Sequence, residues 1–203
     1  GDHPYPKPRP LAKEEMYQIM DKWAEAAGRA KKAGYDMVEL HAAHGYLVEQ
    51  FMSPYTNKRT DEYGGSLENR VRFALELFKR VKAVVGESYP VGWRLGAEEF
   101  VEGGITIKDS PAIARILEEA GAAYINVACG IYETFDKAVD VMRLPEGWKH
   151  YLWEAIKRAV NIPIIAGGGL RTPAFCENIL TQGKADFIGL ARSLIADPEW
   201  PAK

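Results

Sequence analysis

The chain has 203 residues, 47% of them hydrophobic and 27% charged, with a formal net charge of −2 at pH 7. That is the composition of a water-soluble globular protein with enough apolar residues for one sizeable core. The charge balance gives no basic footprint for nucleic acid or a membrane surface, and no apolar stretch approaches bilayer length.

The N-terminus lacks a signal-peptide pattern, and the two cysteines, Cys129 and Cys176, are far apart in the sequence. They read as reduced thiols of a cytoplasmic protein and exclude an iron–sulfur cluster built from this chain alone. Prolines at 4, 6, 8 and 10 make residues 1–12 an extended lead-in. A helical pattern over 13–33 follows, with Met16, Met20, Trp23, Ala27 and Ala30 on one face and Gly34 as its stop.

From there one rhythm persists to the end. Strands are expected at 37–41, 90–96, 123–128, 162–167 and 185–191, and helices at 67–85, 111–120, 148–160 and 173–182. Ser66, Ser110–Pro111 and Thr172–Pro173 mark helix starts; Gly86, Gly121 and Gly183 mark ends. Such βα alternation implies a parallel sheet, in an α/β chain whose residues 13–203 form one five-strand unit.

Five strands suit an open doubly wound sheet, or part of a (β/α)8 TIM barrel, whose full form needs about 250 residues. The barrel is favoured because polar residues collect at strand ends: His41, Arg94, Asn126 and Arg192. Glu39 and His41 share a strand face, as do Gly92, Arg94 and Gly96, and the glycines are expected to leave room for a ligand.

The segment "HAAHGYL" leaves two readings open. His41 and His44, three residues apart, could be metal ligands if carried on a helix. At a strand-to-loop corner, they and Tyr46 become three polar groups at a pocket mouth. The long polar loop 53–65 beyond is either functional or a solvated surface. Arg94 sits in an apolar strand, where an arginine needs a partner; a buried ion pair with Glu39 is expected, beneath or beside a bound electron-rich ring. Gly167, Gly168 and Gly169 follow one strand, and Ala191–Arg192 ends the next. Together they read as an anion cradle of the kind barrels place after their last two strands.

The block "HAAHGYLVEQFMSPYTNKRTDEYGGSLENRVRF", followed by "VGWRL", "IAGGGLRTP" and "FIGLARSLIADPEW", resembles the old yellow enzyme family of FMN-dependent NAD(P)H oxidoreductases. That family includes ene-reductases, 2-enoate reductases, 2,4-dienoyl-CoA reductase and trimethylamine dehydrogenase. The resemblance implies that this chain supplies strands 4–8 of the barrel, with the first three strands or another protomer covering its open edge.

It also implies residue roles. His41 and His44 resemble the donors that grip the carbonyl oxygen of an enone, enoate or enoyl thioester. Tyr46 resembles the tyrosine that gives the α-carbon a proton while flavin N5 gives the β-carbon hydride. Arg94 resembles the arginine beside the flavin N1 and O2. Gly167, Gly168, Gly169, Ala191 and Arg192 resemble the FMN phosphate cradle. NAD(P)H is the implied reductant and a small unsaturated carbonyl compound the implied substrate. Ala12 replaces a threonine cap common in the family, which should weaken the start of the first helix. A flavin-free association module and a metal-dependent hydrolase are the competing functions.

Overall fold

A computed structural model describes residues 8–202, so residues 1–7 of the proline-rich lead-in lie outside the described residues; 8–12 carry no helix or strand. The elements, in order, are α1 (Lys13–Lys32), β1 (Val38–Ala42), α2 (Leu47–Met52), α3 (Leu67–Val85), β2 (Val91–Gly96), α4 (Ser110–Glu119), β3 (Ile125–Ala128), α5 (Phe135–Ala138), α6 (His150–Ala159), β4 (Ile164–Gly167), α7 (Pro173–Thr181), β5 (Phe187–Gly189) and α8 (Arg192–Ala196). Two 3-10 turns, Tyr132–Thr134 and Trp200–Ala202, complete the set.

All five strands lie parallel in the order β1-β2-β3-β4-β5. A doubly wound sheet reverses its strand order at a switch point. This sheet never does, so it winds one way, as part of a barrel wall.

The alternation along each strand separates two faces. Leu40, Ala42, Trp93, Leu95, Ile125, Val127, Ile164 and Ala166 are all buried, and they join the core formed with the helices. From the helices come stripes at helical spacing: Met16, Met20, Ala24 and Ala27 of α1, and Val71, Ala74, Phe78, Val81 and Val85 of α3. The opposite face carries Glu39, His41, Arg94, Asn126, Ile165 and Phe187, all exposed or half-buried. Chemistry and packing therefore occupy opposite sides of one sheet.

Two helix starts differ from expectation. Ser110 lies inside α4 with its hydroxyl buried and unpartnered, and Asp109 is the cap residue. Asp109 Oδ2 accepts from the Thr106 amide (3.0 Å) and hydroxyl (2.7 Å), so the preceding turn, not the helix, takes the side chain. At α1 the missing threonine cap is partly replaced, because Glu15 Oε2 accepts from the Ala12 amide at 2.8 Å. Ser66 and Thr172 cap α3 and α7, the first by accepting from the Asn69 amide at 3.3 Å.

Loop 53–65 is held in place by its own side chains. Asn57 Nδ2 donates to the carbonyls of Phe51 (2.5 Å) and Tyr63 (2.7 Å), and Arg59 pairs with Asp61 at 2.6 Å. Arg59 also donates to the Leu11 carbonyl, and Tyr63 is buried against Phe51, so the loop locks α2 to α3 and the chain start.

Candidate active site

His41 closes β1, the chain turns through Ala43, His44 and Gly45, and Tyr46 caps the six-residue α2. His44 adopts φ 61° and Gly45 φ 75°, two successive left-handed residues. This corner folds the three side chains together. The His41 and His44 ring centroids lie 5.3 Å apart, and those of His41 and Tyr46 5.2 Å. The metal reading requires a further ligand; among the described residues no group of three or more His, Cys, Asp or Glu side chains could hold a metal ion.

The register sets His41, Arg94, Asn126 and Ile165 in one row across β1 to β4. Arg94 is not buried and forms no ion pair with Glu39, contrary to expectation. Asn126, on β3, instead reaches across β2 and donates Nδ2 to both Glu39 oxygens (3.1 and 3.3 Å). Arg94 points from the open face, where its charge needs no protein partner. The glycines of β2 also differ from expectation. A Cβ on Gly92 would fall 2.3 Å from the Tyr124 ring, and one on Gly96 1.8 Å from Glu49 Oε1. They make room for neighbouring side chains, not for a ligand.

Burial first, and the positive charge of Arg94 second, pull both histidines down; His44 falls to about 4. Both are therefore neutral imidazoles at pH 7, each with one N–H to donate. His41 Nδ1 is buried without a partner. Burial pushes Glu39 up, although Asn126 and Arg94 oppose it.

A cavity of about 710 Å³ runs from His44 and Arg94 past Asn126 to Gly167–Gly169 and Gly189–Arg192. Its volume lies within the range of cofactor sites. Gly168 and Gly169 hold φ values of 92° and 67°, and a Cβ on Gly168 would meet Asp140 Oδ2 at 2.1 Å and Lys149 Nζ at 2.4 Å. Ser193 Oγ donates to the Leu170 carbonyl at 2.7 Å, tying the glycine loop to the turn holding Ala191 and Arg192. The predicted cradle residues thus meet at one end of the cavity, and His44, of the predicted donors, lines the other.

Several residues there carry no motif. After β3 the chain makes an excursion over 130–149 that touches both ends. Tyr132 Oη lies 3.1 Å from Tyr46 Oη. Asp140, itself left-handed at φ 49°, pairs with buried Lys149 at 2.9 Å, accepts from Trp148 Nε1 at 2.8 Å, and accepts through its carbonyl from Arg192 (3.0 Å). A tyrosine just past a strand end was a usable signal for Tyr132. Nothing local distinguishes Asp140 or Lys149 from surface charges, because their pairing spans the excursion.

Residues 2–203 match the sequence profile described as NADH:flavin oxidoreductase / NADH oxidase family. The chain belongs to that family. It is 51% identical over 197 residues to an NADH oxidase of Thermoanaerobacter brockii, covering 97% of this chain and 30% of that protein. It is 39% identical over 210 residues to a cinnamate reductase of Clostridium sporogenes, covering 96% and 32%. Among solved structures, an old yellow enzyme homologue from Zymomonas mobilis superposes with a TM-score of 0.80 at 30% identity, over 100% of this chain and 55% of that one. This chain therefore spans about a third to a half of the relatives it matches, and its five strands are part of the TIM barrel that those flavin oxidoreductases build. Its residues fit FMN by their own geometry: an open-face arginine, the His44 imidazole and a glycine cradle that a Cβ would fill share one cavity.

Proposed function

We propose that this chain is the larger part of the catalytic barrel of an FMN-dependent NAD(P)H oxidoreductase that reduces the C=C bond of an activated alkene. The convergence of His41 and Tyr46 with His44, which itself lines the Arg94 cavity, carries this reading. The cinnamate reductase relative supports an enoate, alongside enones and enoyl thioesters, as the substrate class.

Arg94, Gly167, Gly168, Gly169, Ala191 and Arg192 would hold FMN, with Arg94 at the ring and the glycines and Arg192 at the phosphate. FMN, when bound, supplies the hydride, after reduction by NAD(P)H. Negative charge then grows on the substrate carbonyl oxygen, and the N–H groups of His41 and His44 donate to it. Neutral imidazoles fixed at a strand end stabilise that charge more than the ground-state carbonyl, so they lower the barrier. Tyr46 protonates the α-carbon. Its contact with the Tyr132 hydroxyl aims it.

No described helix is long and apolar enough to cross a membrane. The buried free thiols Cys129 and Cys176 support a cytoplasmic location. The edges of β1 and β5 and the exposed Phe187 fit cover by further barrel segments or another protomer.

Tyr46→Phe should slow alkene reduction by roughly 10²- to 10⁴-fold and leave flavin reduction by NAD(P)H unchanged, as read by stopped-flow absorbance. Equal loss in both half-reactions would overturn the assignment.

A further inference from the structure

One fully buried ionisable side chain has no part in this chemistry. Glu49, in the first turn of α2, is 0% exposed. Its Oε2 accepts from the Gly45 amide at 2.5 Å, and its Oε1 has no partner. Gly45 lies between His44 and Tyr46, in the left-handed pair of residues that turns β1 into α2. A non-glycine residue in that conformation is strained and persists only where its surroundings hold it.

The surroundings are built around the carboxyl. Gly96, at the end of β2, is where a Cβ would fall 1.8 Å from Glu49 Oε1, so the strand needs a glycine there to admit the acid. The titratable groups facing it are Glu99, from the loop after β2, and Cys129, after β3. Glu99 is committed elsewhere, accepting from Ser53 Oγ and the Ile105 amide, both at 2.6 Å. Neither offers Glu49 a positive charge. Burial chiefly, and Glu99 secondarily, push Glu49 up to about 8 against the Gly45 hydrogen bond, and burial pushes the Cys129 thiol up to about 12.

We propose that Glu49 is a positioning residue: its carboxyl clamps the Gly45 amide and thereby holds His44 and Tyr46 in convergent geometry, with Gly96 as the space that admits it. The functional half of this inference rests on His44 and Tyr46 being the substrate donors. Glu49 touches no reacting atom. It acts through the backbone turn, uncharged in a dry pocket up to mildly alkaline pH.

The ¹⁵N-labelled chain tests the clamp directly. The Gly45 amide proton should resonate downfield and step with a midpoint near pH 8, which is the Glu49 titration. Glu49→Gln keeps an acceptor, so the downfield position stays and the step vanishes. Glu49→Leu loses the downfield position, and Gly96→Ala, by evicting the carboxyl, should reproduce it.

In the FMN-loaded protein, Glu49→Leu and Gly96→Ala should slow alkene reduction on the order of 10- to 100-fold, the cost of misplacing groups by about 1 Å. Flavin reduction by NAD(P)H should stay within about twofold, since the clamp lies outside the cradle. Glu49→Gln should stay within about threefold of the parent at pH 7. An unchanged Gly45 amide in Glu49→Leu overturns the clamp. Should that variant fail to fold, a persisting step near pH 8 in Glu49→Gln overturns it instead. If the amide responds but alkene reduction does not, the clamp stands and its positioning role falls. Failure of the donor reading itself would show separately, as unimpaired alkene reduction in Tyr46→Phe.

Discussion

On the outer face of the sheet, Trp93 and Leu95 are 0% exposed beneath the helices; on the inner face, one residue away in the same strand, Arg94 stands open. The contrast repeats in β1, where Leu40 and Ala42 are buried and Glu39 and His41 are not. The outer face gains its stability from apolar area removed from water. The inner face gains almost none and keeps polar groups unpaired, as at Arg94 and His41 Nδ1. A single strand can thus carry both, because period two separates them completely.

Substitutions one residue apart should break the molecule in opposite ways. Trp93→Ala should cost about 3–5 kcal/mol of stability by chemical denaturation, the largest effect expected. Arg94→Ala should change stability by no more than about 0.5 kcal/mol and weaken FMN binding roughly 10- to 100-fold by fluorescence titration. Comparable stability losses in the two variants would erase the distinction between faces.

The inner face also has a titration signature. His44 is held at about 4, below its ordinary 6.5, so the folded state binds fewer protons than the unfolded chain in that window. This contribution to stability is present above pH 6.5 and is lost as pH falls through about 4. His44→Gln should flatten the acid side of a plot of melting temperature against pH. The smallest effect concerns Tyr132→Phe, which removes one hydroxyl contact to Tyr46. Alkene reduction should slow by only a few-fold, about 1 kcal/mol, with folding untouched.

The order of elements was legible because each is a local matter. Apolar residues at helical spacing, period-two runs and capping residues report on stretches shorter than 20 residues, and β1 to β5 fall where those signals place them. His41, His44 and Tyr46 were legible as a group since six residues of chain carry all three. The short helix α2 was missed, as six residues are too few to show a period.

Long-range pairing was not legible. Arg94 and Glu39 seemed a natural ion pair on adjacent strands, yet Asn126 reaches across β2 and takes both Glu39 oxygens. The glycines of β2 suggested space for a ligand, and the fold gave that space to Tyr124 and Glu49. The sequence by itself determined a parallel sheet of βα units, its strand ends and the residue types gathered there. Only the tertiary structure decided which face each polar group meets, that Asp140 and Lys149 back the glycine loop, and that Glu49 lies under the donor turn. Those outcomes depend on which side chain fills a given space first, and that is settled by contacts between residues far apart along the chain.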